Sequence, residues 1–256
     1  MADFRRRNHG GGHSYYLDDR KLDGVTSIIS GGLPKPALVN WAARTAAEKA
    51  VNEWDQLAEL PVAERLKRIT KAPDESRNAA AVKGTRIHAL ADKLANGEEV
   101  PVPDELAGHV ESCVRFLDEW QAETVHTEAP VYHEKYLYAG TLDLIADIGT
   151  DRWLLDFKTS ASGAYGDTAF QLAAYRYATH ILADQDEQGA PMTAAMTPVD
   201  KCGVIWLRAD GYDLYEYTAD ESVWRQFLYI QQVAKAAADS RDYRGDALMP
   251  PVRSTA

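Results

Sequence analysis

Ala139-Gly140-Thr141-Leu142-Asp143-Leu144-Ile145, followed by Leu154-Leu155-Asp156-Phe157-Lys158-Thr159, forms two apolar runs that carry acidic residues where a core strand tolerates them poorly. Side chains alternate across a strand, so Trp153, Leu155 and Phe157 share one face. Asp156 and Lys158 share the other, separated by roughly 6.6 Å of rise. On the preceding strand the same alternation points Leu142 and Leu144 inward and Thr141, Asp143 and Ile145 the opposite way. Paired as neighbours, the two strands bring Asp143 and Asp156 together.

A carboxylate on a buried surface is costly unless it is paired, hydrogen-bonded or bound to a metal, and two of them beside a lysine need one common explanation. A hard divalent cation, Mg²⁺ or Mn²⁺, supplies it: such an ion takes oxygen ligands, acidifies water and neutralises charge building on a phosphodiester. Lys158 then positions the attacking water or stabilises the transition-state oxygens. The competing reading of Asp-x-Lys by itself is a buried ion pair bracing two strands.

Two further segments add to the pattern. Gln171 and Tyr175, spaced i, i+4, fall on one face of a helix predicted from about Thr168 to Ala183. His88 falls on a helix predicted from about Asp74 to Leu94. There Ile87, Leu90, Ala91 and Leu94 make the apolar stripe, His88 lies at its edge, and Gly84 one turn earlier permits close approach of another backbone. A helix histidine taken alone reads as structural.

The order of these elements, histidine on a helix, then Gly-Thr-Leu-Asp, then Asp-x-Lys, then Gln-x-x-x-Tyr, resembles the RecB-like branch of the PD-(D/E)XK nuclease superfamily over Gly84 to Tyr177. The resemblance implies a restriction-endonuclease-like α/β core, a mixed central sheet flanked by helices. It implies metal binding by His88, Asp143, Asp156 and the carbonyl of Phe157, and catalysis by Lys158, with the Gln171 and Tyr175 helix bordering the site. Glu128 falls where many relatives carry an acidic residue opening the strand before Gly-Thr-x-Asp; by itself a strand-edge glutamate is commonly just solvated. Val25-Thr26-Ser27-Ile28-Ile29, then Leu33-Pro34-Lys35-Pro36-Ala37-Leu38 and Trp41, look like the opening segment of phage exonucleases and of mitochondrial genome maintenance exonucleases. Read without that likeness, the segment is a strand and turn followed by an amphipathic helix.

At 256 residues the chain suits one α/β domain, or a core with a helical addition, and its 45% hydrophobic content supports a sizeable core. The expected organisation is an N-terminal segment and helical addition over 1–73, a nuclease core over 74–238 and a flexible tail over 239–256. No apolar run approaches the roughly 20 residues needed to cross a bilayer. Met1 to Arg7 is basic but lacks a following apolar region, which reads as no secretory signal and a cytoplasmic location, the host cytoplasm for a phage-encoded protein. Cys113 and Cys202 are the only cysteines, too few for a four-thiolate zinc site or an iron–sulfur cluster, so none is expected and both read as reduced core thiols.

The formal charge of −11 argues against a nucleic-acid partner, because phosphate contacts come largely from Lys, Arg and backbone amides. The local field along a groove matters more than the total, and ions at an acidic site neutralise part of it. Arg5 to Arg7, Lys35, Lys83, Arg86 and Arg176 are candidates for that groove, or ordinary solvated charge. An acidic nuclease of this kind is expected to bind DNA weakly without metal and to use a partner protein or a ring-shaped oligomer to stay on it.

Helices are further predicted near Ala37 to Leu60, Val62 to Ile69 and Asp104 to Ala122. Strands are expected near Thr124 to His133, Tyr136 to Ile148, Trp153 to Thr159, Gly203 to Leu207 and Tyr212 to Tyr217, with a last helix at Glu221 to Ala238. Asp184 to Pro198 reads as a loop, and Gly10 to Gly12 and the tail from Asp239 as mobile. Trp206, Tyr212, Tyr215 and Tyr217 imitate a base-stacking platform but read as sheet packing, and Trp224, Phe227 and Leu228 as the inner face of the last helix. The expected activity is that of a phage-type DNA exonuclease processing duplex ends or single strands in recombination or replication. Two alternatives stand beside it: an inactive nucleic-acid-binding or interaction protein on the same fold, and a hydrolase using Asp143 and Asp156 as an acid/base pair.

Overall fold

The computed structural model describes residues 3–9, 12–185 and 191–249. The chain starts with an antiparallel meander, β1 (Phe4–His9), β2 (Gly12–Leu17) and β3 (Arg20–Gly24). Gly12 is therefore an ordered strand residue pairing with His9, not part of a mobile stretch, while Gly10 and Gly11 lie outside the described residues. Helices α1 (Val25–Gly32), α2 (Pro36–Asn52), α3 (Trp54–Ala58) and α4 (Val62–Ala95) follow. A 3-10 turn at Asp104–Leu106 leads into α5 (Ala107–Glu119).

Next come β4 (Glu123–His133), β5 (Tyr138–Ile148) and β6 (Asp151–Lys158), then α6 (Thr168–Arg176), β7 (His180–Gln185), β8 (Pro191–Ala195), β9 (Lys201–Arg208), β10 (Gly211–Glu216) and α7 (Glu221–Asp239). The strands form one mixed, curled sheet with helices on both sides, the α/β architecture expected. Antiparallel pairing links β4 to β5, β5 to β6 and β9 to β10, while β3–β5 and β6–β9 are parallel.

Two core clusters sandwich the centre of this sheet. On one side Leu142, Ile145 and Leu154 pack with residues of α1, α6 and α7, among them Ile28, Leu172 and Phe227. On the other, Leu144, Leu155 and Phe157 pack with Ile87 of α4 and Cys113 and Phe116 of α5. Farther along the sheet, Tyr132 and Ala139 bury Phe4, Tyr15 and Leu17 of the N-terminal meander. The two cysteines are buried and unpaired, Cys113 in the α5 cluster and Cys202 in the α7 cluster. Among the described residues no helix is long and apolar enough to cross a membrane.

Several expected elements need correction. Val25–Gly32 is a helix although Val25, Thr26, Ile28 and Ile29 read as strand; Val25, Ile28 and Ile29 bury one face in the α7 cluster, and that packing overrides a weak local preference. The two helices expected on either side of residue 73 are one helix, α4, which carries Pro73 in its interior and so runs unbroken across the expected 73/74 boundary. Its flanks are rich in Ala, Leu, Lys, Arg and Glu, and the helix packs against α2 and α5, the latter around Ile87 and Ala91, which offsets the bond Pro73 removes.

The Gln171 helix ends at Arg176 rather than near Ala183. His180 and Ile181 instead pair with Tyr132 and Val131 of β4, with the His180 and Tyr132 rings stacked 4.7 Å apart. Pro191–Ala195, inside the expected loop, is strand β8 paired to β7. At the C-terminal end, α7 reaches Asp239 and Ser240–Asp242 forms a further 3-10 turn. Tyr215 is exposed, whereas Tyr212 and Tyr217 pack against the two core clusters as expected.

Candidate metal and nuclease site

Strand β5 shares one edge between two partners. β3 pairs only with Tyr138 and Ala139, β6 only with Leu144 to Ile148, and Gly140 to Asp143 lie between them. Leu144 pairs with Leu155, so Asp143 and Asp156 occupy the next positions, where the strands part. Alternation along β5 changes phase across Asp143. Leu142 and Ile145 belong to the cluster beneath α6 and α7, and Leu144 to the opposite one, so Leu142 and Leu144 do not share a face as expected. The freed edge is satisfied by a side chain: Phe157 N–H donates to Asp143 Oδ2 at 2.8 Å. A strand residue turns its N–H and C=O to the same edge, so the Phe157 carbonyl also faces the side of Asp143.

Around Asp143 two more elements converge. His88 of α4 sits with Nδ1 3.4 Å from Asp143 Oδ2, and its ring meets the Phe157 ring edge-on. Gly84, one turn before His88, allows α4 to approach the strand end closely, since an added Cβ would lie 3.3 Å from Thr159 Oγ1. Glu128 of β4 stands directly across from Asp143 in the β4–β5 register, in a left-handed conformation with φ of 44°. One ligand atom from each of His88, Glu128 and Asp143 lies within 4.8 Å of the others.

Asp156 belongs to an adjoining group rather than to this trio. Its Oδ1 accepts from Gln171 Nε2 at 2.6 Å, and the Lys158 ammonium lies 2.7 Å from Oδ2 without the alignment of a hydrogen bond. Lys158 Nζ also reaches Gln171 Oε1 at 3.4 Å. Tyr175, one turn after Gln171, is buried against β5, and a Cβ built on Gly140 would overlap its ring.

The charges act on one another at close range. Burial works against a charged His88, but the charge and hydrogen bond of Asp143 outweigh it and raise the imidazole to about 9. Burial also opposes ionisation of Asp143, yet His88, Lys158 and the Phe157 N–H hold it below its ordinary value. Burial pushes Asp156 up to about 6; Lys158 opposes the shift and Asp143 adds to it. Burial, then the charge of Asp143, raises Glu128 as well.

An imidazole and two carboxylates within one ligand shell, with the charge of Asp143 raising the proton affinity of both His88 and Glu128, fit a divalent cation by donor chemistry. So does the buried Asp156 oxygen with no aligned donor.

The expected site residues thus gather at one place, His88, Glu128, Asp143 and Phe157 in one half and Asp156, Lys158, Gln171 and Tyr175 in the other. The groove candidates scatter. Arg86 pairs with Glu105, Lys35 reaches Asp167, and Arg176 donates to the Asp200 carbonyl. Arg6 is the exception, 3.8 Å from Glu128. Its approach, and the bond of Tyr15 to Thr141, had no sequence signal beyond a run of arginines.

Comparison with known proteins agrees with this geometry. A search of curated proteins finds no match. The crystal structure of SSO0001 aligns at 15% identity over 84% of this chain and 74% of that one, with a TM-score of 0.33, too low to inform the reading. Residues 61–247, which hold α4 through α7 and His88, Glu128, Asp143, Asp156, Phe157, Lys158, Gln171 and Tyr175, match a known family, and the chain belongs to the PD-(D/E)XK nuclease superfamily.

Proposed function

We propose that the chain is a Mg²⁺- or Mn²⁺-dependent DNA exonuclease of the RecB-like branch, processing DNA ends in phage-type recombination or replication. The observation that carries the metal-dependent reading is the convergence of His88, Glu128 and Asp143 beside Asp156 and Lys158 where β5 and β6 part. His88, Asp143, Asp156 and the Phe157 carbonyl would hold the ion, with Glu128 beside them. A divalent cation in that position acidifies water and neutralises charge on a phosphodiester.

The remaining work falls to the chain. Lys158 orients the attacking water and supports the phosphoryl oxygens as their charge rises. Gln171 fixes the Asp156 carboxylate and limits the swing of Lys158, and Tyr175 packs α6 onto Gly140 so that Gln171 is held in place. Exonuclease action, a DNA substrate and the phage setting rest on the likeness of the motifs and of the opening segment.

End-labelled linear DNA and covalently closed circular DNA, each incubated with Mg²⁺, Mn²⁺ or EDTA, test the proposal. Mononucleotide release from linear DNA, circular DNA left intact and no reaction in EDTA are expected. Cleavage of circles removes the exonuclease assignment, and cleavage in EDTA removes the metal site.

A further inference from the structure

β1 puts three consecutive arginines, Arg5 to Arg7, into a chain of net charge −11, and neither β1 nor β2 carries an acidic residue. Their register divides them. Phe4, Arg6 and Asn8 share a face with their partners Leu17, Tyr15 and His13, while Arg5, Arg7 and His9 face the other way. The first face is the one the curled sheet turns onto β4 and β5. Phe4 packs on Tyr132 with 4.4 Å between ring centroids, and Tyr15 Oη hydrogen-bonds Thr141 Oγ1 at 2.8 Å.

Arg6, cross-strand from Tyr15, therefore stands beside Glu128 with Nη1 3.8 Å from Oε2. That separation exceeds a hydrogen bond, Nε is buried with no hydrogen-bond partner, and the side chain remains 27% exposed. A guanidinium is a planar fork of five N–H donors that matches paired phosphate oxygens, and a buried donor left unpaired is costly. An arginine in this state, at the rim of a site for phosphodiester chemistry, is short of a ligand. Phe4, Tyr15 and Leu17 are buried beside it on the same face, so it is offered from a fixed platform.

We infer that Arg6 binds a phosphate of the DNA strand that lies between the β1–β2 hairpin and α4, next to the phosphodiester held at the Asp143 and Asp156 site. The inference rests on the nuclease reading above and names a substrate contact for it. Arg7 is the internal control. It carries the same charge on the same strand but faces away, with its guanidinium 4.9 Å from the Tyr16 ring centroid.

The test is steady-state cleavage of a labelled single-stranded oligonucleotide, made with and without a terminal phosphate, by wild type, Arg6→Gln, Arg6→Lys and Arg7→Gln over a range of salt. Arg6→Gln should raise KM about tenfold, as loss of one charged hydrogen-bonded contact does, with kcat changed far less. It should also flatten the dependence of log affinity on log salt by about 0.7. Arg6→Lys should recover part of the loss, Arg7→Gln should stay close to wild type, and Mn²⁺ affinity should be unchanged throughout.

A KM loss confined to the phosphorylated oligonucleotide assigns Arg6 to a terminal phosphate, and an equal loss on both assigns it to the backbone. An indifferent Arg6→Gln overturns the inference while leaving the nuclease reading intact, as does an effect shared equally by Arg7→Gln. Loss of Mn²⁺ affinity in Arg6→Gln also overturns it, by reducing Arg6 to a prop for Glu128. A wild type that cleaves neither the oligonucleotide nor its annealed duplex overturns both readings.

Discussion

Asp156 is the residue whose environment is most at odds with its charge. Its carboxyl is raised from 3.8 to about 6 by burial, so its contribution to stability is fully present below 3.8 and is lost as pH rises through about 6. Asp156→Asn removes the buried charge and keeps an oxygen for Gln171 to donate to. Melting of the two proteins in EDTA should therefore show the variant gaining on wild type between pH 4 and 7, with cleavage abolished at every pH. A variant that melts lower than wild type by a larger margin at pH 7 than at pH 4 would mean that the Lys158 pairing outweighs burial.

His88 has the opposite relation to pH. Its imidazole is raised from 6.5 to about 9, so the stabilising pair with Asp143 is fully present below 6.5 and fades as pH rises through about 9. A metal requires the neutral ring, so Mn²⁺ binding to the wild type should tighten as pH climbs toward 9. His88→Ala should weaken Mn²⁺ binding and flatten that pH dependence in calorimetric titrations. Should the variant merely melt lower, with Mn²⁺ affinity and its pH profile unchanged, His88 is a packing residue.

At the scale of elements, the site depends on how closely α6 and α4 approach the strand ends. Tyr175 lies against the bare backbone of Gly140, where a Cβ has no room. Gly140→Ala should push α6 outward, cost about 1–3 kcal/mol by overpacking and separate Gln171 from Asp156. Both a lower melting temperature and a kcat loss are expected. Gly166→Ala, where an added Cβ meets nothing, serves as the comparison. Full activity in Gly140→Ala would show that the α6 contact does not position the site.

At the scale of the molecule, α4, β4, β5 and β6 all deliver residues to one point, so a bound ion should tie the domain together. Metal at about 100 times its dissociation constant stabilises a fold by about 2.7 kcal/mol, readable as an upward shift of melting temperature. Mn²⁺ should raise the melting temperature of wild type and leave that of Asp143→Ala nearly unmoved, because Asp143 is the residue shared by His88 and the Phe157 backbone. An equal shift in both proteins would place the ion elsewhere.

Residue spacing along the chain was enough to reveal the central strands and the His88 helix, and the likeness of motif order to a known family singled out His88, Asp143, Asp156, Lys158, Gln171 and Tyr175 as candidates, which the fold gathers at one place. Alternation in strands and the 3.6-residue turn of helices act locally, so side chains i, i+2 or i, i+4 apart announce a common face. Tertiary packing alone decided the rest. It made Val25–Gly32 a helix against α7 and carried α4 through Pro73. It also drew His180 and Ile181 out of a helix to pair with β4, because burying those faces outweighs local preferences of under a kcal/mol per residue. It also divided the site, setting Glu128 with His88 and Asp143 and tying Asp156 to Lys158 and Gln171. That division lies where β5 parts from β6, and Arg6 comes within 3.8 Å of Glu128 only through the curl of the sheet; these are long-range pairings that no local spacing encodes.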